Sequence, residues 1–282
     1  MTTYLTKSRP LARDAMSFRP HEIEMTIVQT LAGFATNFAN QPIPPDIVHH
    51  AKRAVIDWHA ALLAGSGAAP AAQLEKALAD ELGNGPSTLA LGRRASPRAA
   101  ALINGAASHA MEVDDIFFEA IFHPGAPAIA AALAAAQATQ AKGATFLRAV
   151  IAGYEVSTRI GVAMGRPHYK FWHTTGTVGT FGAATAAAML YGLDAPRFAH
   201  ALATAATFAA GLHQAFRMDS MSKPLHAGRA AEGGLLAAMA AKEGVTGSLN
   251  VMEGDAGFGR AMGGCPDWDK ALATLGRSFN MA

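Results

Sequence analysis

Between Phe171 and Leu193 the chain carries no formally charged side chain. A segment of that length without charge belongs either in a bilayer or in the middle of a protein core. Its content decides: His173, repeated threonines and Gly176, Gly179 and Gly182, with little leucine or isoleucine, predict a buried core helix rather than a membrane span. A helix buried on every side needs other helices around it. With 282 residues, 51% of them hydrophobic, the chain can bury a substantial core.

The rest of the sequence supplies those helices. Ile23 to Ala39 is apolar at helical spacing, and Gln41-Pro42-Ile43-Pro44-Pro45 breaks it before Asp46, which is placed to cap a helix bearing Ile47, Ala51, Val55, Trp58 and Leu62. Ala71 to Leu82 reads as a shorter helix, Gly83-Asn84-Gly85-Pro86 as a turn and Ser87 to Leu91 as a scrap of strand. Further helices are expected from Ser96-Pro97 to about Met111, from Ala126 to Gln140, from Thr145 to about Met164, and from Ala230 to Gly244. Gly192-Leu193-Asp194-Ala195-Pro196 is a helix stop followed by a cap and a new start. The fold expected is all-α, a multi-helix domain over residues 21–282 behind a flexible leader of residues 1–20. That leader has Lys7, Arg9, Arg13 and Arg19 and no apolar core of a signal peptide.

Charge and cysteine usage exclude several partner classes. Only 16% of residues are charged and the net charge is +2, with no run or stripe of Lys and Arg, so nucleic acid is not an expected partner. The lone Cys265 cannot form an intrachain disulfide, which fits a reducing, cytoplasmic setting.

Polar residues gather in three places. His173-Thr174-Thr175-Gly176-Thr177 opens the uncharged helix, and its threonines are candidates to cap it over amides that favour an anion. Ser220-Met221-Ser222-Lys223-Pro224-Leu225-His226 occupies the corresponding position one helix pair later, so the two clusters are expected to face one cavity. The third runs from His109 through Glu112, Asp114 and Asp115 to His123-Pro124, where a rigid turn projects a histidine. His109, Glu112, Asp114 and His123 match no standard metal-ligand spacing, and no metal or other cofactor is expected. Histidines that titrate near neutrality beside a lysine suit an anionic substrate on which protons are moved.

These segments together resemble the MmgE/PrpD family, which includes 2-methylcitrate dehydratases, cis-aconitate decarboxylases and iminodisuccinate epimerases. The stretches that carry the resemblance are Asn104-Gly105-Ala106-Ala107-Ser108-His109-Ala110 with Asp114-Asp115, His123-Pro124-Gly125-Ala126-Pro127, Gly153-Tyr154-Glu155-Val156, the His173 and Gly179-Thr180-Phe181-Gly182 run, and Ser222-Lys223-Pro224-Leu225-His226. It implies a helical, dimeric domain with a cofactor-free pocket for di- or tricarboxylates. The expected reaction is elimination of the 2-methylcitrate dehydratase kind, with dicarboxylate epimerisation and a non-catalytic helical remnant as alternatives. Matched motifs point to His123, His173, Lys223 and Asp114 for catalysis, and to Glu112, Asp115, Thr174 and His226 for substrate binding. Two departures stand out, Glu112 where the family often has Asp and Ile116 where Thr is common. Relatives continue into a C-terminal α/β domain, which this chain is expected to lack and to receive, if at all, from a separate subunit.

Overall fold

The computed structural model describes residues 25–218 and 220–282. The expected leader lies outside them.

The helix at Thr174–Leu190 (called α7 from here, counting along the chain) is buried at every position but Met189. Four helices enclose it: α5 (Gly125–Thr139), α6 (Gly143–Tyr169), α8 (Ala195–Phe208) and α9 (Ser222–Lys242). Around them lie α1 (Ile27–Phe38) against α8, α2 (Pro45–Gly65) against α4 (Pro97–Ser108), and α4 against both α5 and α9. The short α3 (Ala71–Ala77) and a two-stranded antiparallel ribbon, β1 (Leu82–Thr88) with β2 (Arg94–Ala95), close one flank, with Ser87 opposite Ala95. A last short helix, α10 (Trp268–Leu272), follows a π-helical turn at Gly259–Gly263. No described helix is long and apolar enough to cross a membrane.

Small residues set how close the helices come. A Cβ added at Gly228 would lie 2.2 Å from Leu102 O, and one at Gly234 would lie 2.5 Å from Thr180 O, so α9 rides backbone to backbone on α4 and α7. Gly153 and Gly182 likewise face each other's carbonyls across α6 and α7. The regular glycines of α7 therefore serve helix packing. Phe181, Ile129, Ile160 and Leu235 fill the volume left between alanine-lined surfaces.

Local signals mostly hold. Ser96 caps α4 by accepting from Ala99 N at 3.1 Å, and Asp194 caps α8 by accepting from Arg197 N at 3.0 Å, behind Gly192 at φ 68°. Several expectations need correction. Asp46 is not the cap of α2: Pro44 holds that position, Pro45 opens the helix, and Asp46 sits in the first turn, where its charge suits the dipole. The helix from Ala71 stops at Ala77 and tightens into a 3₁₀ turn, Ala79–Glu81, and the strand begins at Leu82 rather than Ser87. The expected loop after Met164 is largely helical, because α6 resumes beyond Gly165, whose φ of 59° kinks it. The last long helix starts at Ser222, not Ala230, taking Lys223 and Pro224 into its first turn.

Candidate active site

Three segments meet at the N-terminal ends of α7 and α9. The linker preceding α7 and the one preceding α9 are stitched together: His173 N donates to Gly211 O at 2.8 Å, and His213 N donates to Phe171 O at 2.9 Å. Gly211, at φ 135°, lets the ring of His226 come within 3.1 Å of where a Cβ would stand. The loop between α4 and α5 carries Glu112 to His123 across the same end. It docks on α7 through Thr175, whose Oγ1 accepts from His123 N at 3.1 Å.

This brings the sequence-flagged groups into one chain of contacts. Asp114 accepts from His109 Nδ1 at 2.9 Å and lies 3.4 Å from His123 Nδ1. The His109 ring stacks on His173 at 5.4 Å between centroids, and His173 Nδ1 meets His226 Nδ1 at 3.1 Å. Phe216 stands edge-on to His173 at 4.6 Å and carries the Lys223 ammonium 4.8 Å from its ring centre. Lys223 then pairs with Glu112, on the loop where the chain of contacts began. A cation in the first turn of a helix opposes the dipole, so an anion beside Lys223 is what that position calls for.

The two aspartates face different sides. Burial would raise Asp114, but contacts with His109 and His123 outweigh it and hold its carboxyl far below the usual carboxylate range. Burial also pushes Asp115 up, to about 6, although it accepts from Tyr154 Oη at 2.8 Å and Gly125 N at 3.1 Å. Asp115 lines a cleft of about 560 Å³ on the outer side of α2, with His50, Arg53 and Asp57. Its hydrogen bonds run to Tyr154 and Gly125, whereas Asp114 contacts the histidines directly.

The histidines divide as well. Burial alone would lower His123, yet Asp114 beside it, helped by Asp115 and Glu112, carries it above the ordinary imidazole value. Burial holds His173 well below that value, reinforced by His109, His226 and Lys223, and His226 is lowered by burial and by His109. The site thus places an imidazole shifted toward its protonated form and one shifted toward its neutral form on either side of His109. Three buried polar atoms here have no hydrogen-bond partner among the described residues: His109 Nε2, His123 Nδ1 and Thr174 Oγ1. Elsewhere only Trp58 Nε1 and Thr185 Oγ1 share that condition among the described residues.

The expected threonine cap is corrected. His173 is the N-cap of α7, and no side chain caps it; Thr177 instead contacts His168 Nε2 at 2.7 Å, and the Thr174 hydroxyl is left unpartnered. In the sequence His109 belongs to the third polar cluster, to the motif Asn104 to Ala110 and to the set His109, Glu112, Asp114 and His123 weighed as metal ligands, without a catalytic or binding role. Three of those four residues, His109, Asp114 and His123, do offer ligand-type atoms within 4.8 Å of one another. Phe216 and Gly211 carry no signal in one sequence, since their importance comes from a linker pairing across two helices. Tyr154 reads as an apolar helix position, and only the fold reveals its hydroxyl on Asp115.

An all-helical domain with a histidine, aspartate and lysine cluster at two helix starts is a defined class, and comparison places it. The chain belongs to the MmgE/PrpD family, matching its N-terminal domain over residues 29–271. A cis-aconitate decarboxylase-like protein of Aspergillus oryzae is 32% identical over 252 residues, covering 86% of this chain and 51% of that protein. Human cis-aconitate decarboxylase is 36% identical over 174 residues, 59% of this chain and 35% of its own. The Aspergillus terreus cis-aconitate decarboxylase is 29% identical over 235 residues, 80% and 48% of the two chains. The chain spans about half the length of the curated relatives it matches, or less.

Proposed function

We propose that this domain forms the acid/base half of a cofactor-independent lyase acting on a di- or tricarboxylate. The observation that carries the reading is the convergence of His123, His173 and Lys223 in one chain of contacts, with the two imidazoles shifted in opposite directions. His123, shifted toward its protonated form by Asp114, is suited to deliver a proton, and His173, shifted toward its neutral form by burial, is suited to accept one. Lys223 supplies fixed positive charge for a substrate carboxylate, exchanging Glu112 for the ligand. His226 and Thr174 border the same centre, whereas Asp115 acts through Tyr154 and Gly125 rather than on the substrate.

The names of the relatives make loss of CO₂ from an unsaturated tricarboxylate the first reaction to test. The carboxylate carbon–carbon bond breaks, its electron pair spreads over the allylic system, and a proton from His123 quenches the remote carbon. Loss of water, the dehydratase reaction expected from the sequence, is the second. There the neutral base takes the carbon-bound proton and the acid protonates the departing hydroxyl. Epimerisation shares the first step and would show as solvent deuterium entering the acid without loss of water or CO₂.

The site is further proposed to be completed by polypeptide corresponding to the other half of the relatives or by a second copy in a homodimer, since Glu112 and Lys223 lie partly exposed. A cytoplasmic location fits the single, exposed, unpaired Cys265. The chain, alone and with that other half supplied, is tested on cis-aconitate and 2-methylcitrate, following CO₂ release and unsaturated product. Turnover should fall by about a hundredfold or more in Lys223→Ala and survive dialysis against a chelator. Turnover unchanged in Lys223→Ala would reject the assignment.

A further inference from the structure

The wall of the histidine cluster formed by His226 has a second side. Its ring presents Nδ1 to His173, and the same residue lines a cleft of about 460 Å³ together with Ala210, Gly211, Gln214, Ser222 and Arg229. That volume lies in the range of small-molecule sites, roughly 300–1,000 Å³. Lys223, His226 and Arg229 recur at every third residue along the first two turns of α9, so a line of basic groups runs from the catalytic cluster to the far end of the cleft.

Arg229 has charge to spare. It pairs with Glu232, whose side chain is only 6% exposed, and Arg98 pairs with the same carboxylate through Nε at 2.8 Å. Two guanidinium groups share one glutamate, and both stay about half exposed, 48% for Arg98 and 51% for Arg229. Glu81 lines the neighbouring cavity together with Arg98, Arg229 and Glu232, and is not among the residues lining the His226 cleft. Arg229 borders both cavities and can therefore turn donors toward the His226 cleft while Arg98 keeps Glu232 paired. A planar fork of N–H donors in a cleft whose other described lining residues, His226 apart, carry no ionisable group matches a carboxylate.

We infer that Arg229 forms a second carboxylate subsite, so that the substrate spans the His226 wall with one carboxylate near Lys223 and another on Arg229. The subsite favours acids with at least two well-separated carboxylates over monocarboxylates, which engage one of the two cations only. This inference rests on the proposed reading of the His173 and Lys223 cluster as a carboxylate site.

Ligand-observed NMR titration with tricarballylate, a saturated tricarboxylate, and with butyrate separates the two ideas. Arg229→Gln should weaken tricarballylate about tenfold or more and leave butyrate within about twofold, with Arg229→Lys recovering part of the loss. Glu232 remains on Arg98 in both variants, and thermal melts check that the fold is kept. An equal loss for both acids, or no loss for tricarballylate, overturns the subsite. Tricarballylate binding that survives Lys223→Ala but not Arg229→Gln overturns the proposed function and leaves the arginine subsite standing. No tricarballylate binding to the wild-type chain overturns both.

Discussion

Two ionic groups are sealed among the helices, and they are built on opposite principles. At the C-terminal flank, Arg159 donates Nε to Glu155 at 2.7 Å and its remaining nitrogens to Ala271 O, Thr274 Oγ1 and Ser278 O, while Asn280 N donates to Glu155 Oε2 at 2.9 Å. The oxygens and nitrogens of that pair are all used, and the result fastens the final segment to α6. At the other end, Asp114 holds two histidines, yet His109 Nε2 and Thr174 Oγ1 are left unpartnered among the described residues. An unmet buried polar atom costs about 1–3 kcal/mol, so a fold tolerates a cluster of them where something other than stability is served. Saturated charge marks the clamp; unsaturated charge marks the candidate site.

The largest expected effect follows from what each group leaves behind when its partner is removed. Arg159→Met strands Glu155, and neutralising a carboxyl of ordinary pKa near 4.5 at pH 7 costs about 3 kcal/mol before any packing loss, within the 3–5 kcal/mol typical of a broken buried pair. Denaturant unfolding should show at least about that loss. Asp114→Asn strands imidazoles, groups of ordinary pKa near 6.5 that need carry no charge at pH 7, so stability should fall by less than in Arg159→Met while turnover falls about a hundredfold or more. Asp114→Asn unfolding as badly as Arg159→Met would erase the distinction between clamp and site. Gly228→Ala probes the packing that brings the site together: with Leu102 O 2.2 Å from the new Cβ, a cost of about 1–3 kcal/mol is expected from overpacking, read as a lower melting temperature.

The core helix and several helix starts were legible in the amino-acid sequence, and the clamp was not. The uncharged run through Phe181 could only be a core helix, and Asp194 after Gly192 announced a helix start, because burial and capping act locally. His123, His173, Lys223 and Asp114 were pointed to by the matched family motifs, and the fold brings them into one chain of contacts. What stayed hidden depends on who stands opposite. Asp114 and Asp115 are adjacent and identical in sequence, and only the fold gives one to His109 and the other to Tyr154. Arg159 could not be told from a surface arginine until the residues around Ala271 and Ser278 closed over it.

The smallest effects concern pH, and they test whether burial without a charged partner acts alike at two places. His168 is wholly buried, lowered to about 4 by that burial, with Nδ1 3.2 Å from Met262 O and Nε2 2.7 Å from Thr177 Oγ1. The carbonyl requires the proton on Nδ1, so Thr177 donates to Nε2 and the ring steadies the helix turn that follows His173. Between pH 4 and about 6.5 the unfolded chain therefore binds a proton that folded His168 refuses, and stability rises with pH across that window. Asp115 runs the other way: raised from 3.8 to about 6, it holds a proton when folded that the unfolded chain releases, so stability falls as pH rises from about 4 to 6. The two slopes oppose each other over the same interval. Unfolding free energies measured from pH 4 to 7 should be nearly flat for the contribution of this pair in the wild type, tilt upward with pH in Asp115→Asn, and tilt downward in His168→Gln. Parallel curves for all three proteins would mean that neither buried group titrates apart from the unfolded chain, and the contrast between saturated and unsaturated burial would then rest on the clamp alone.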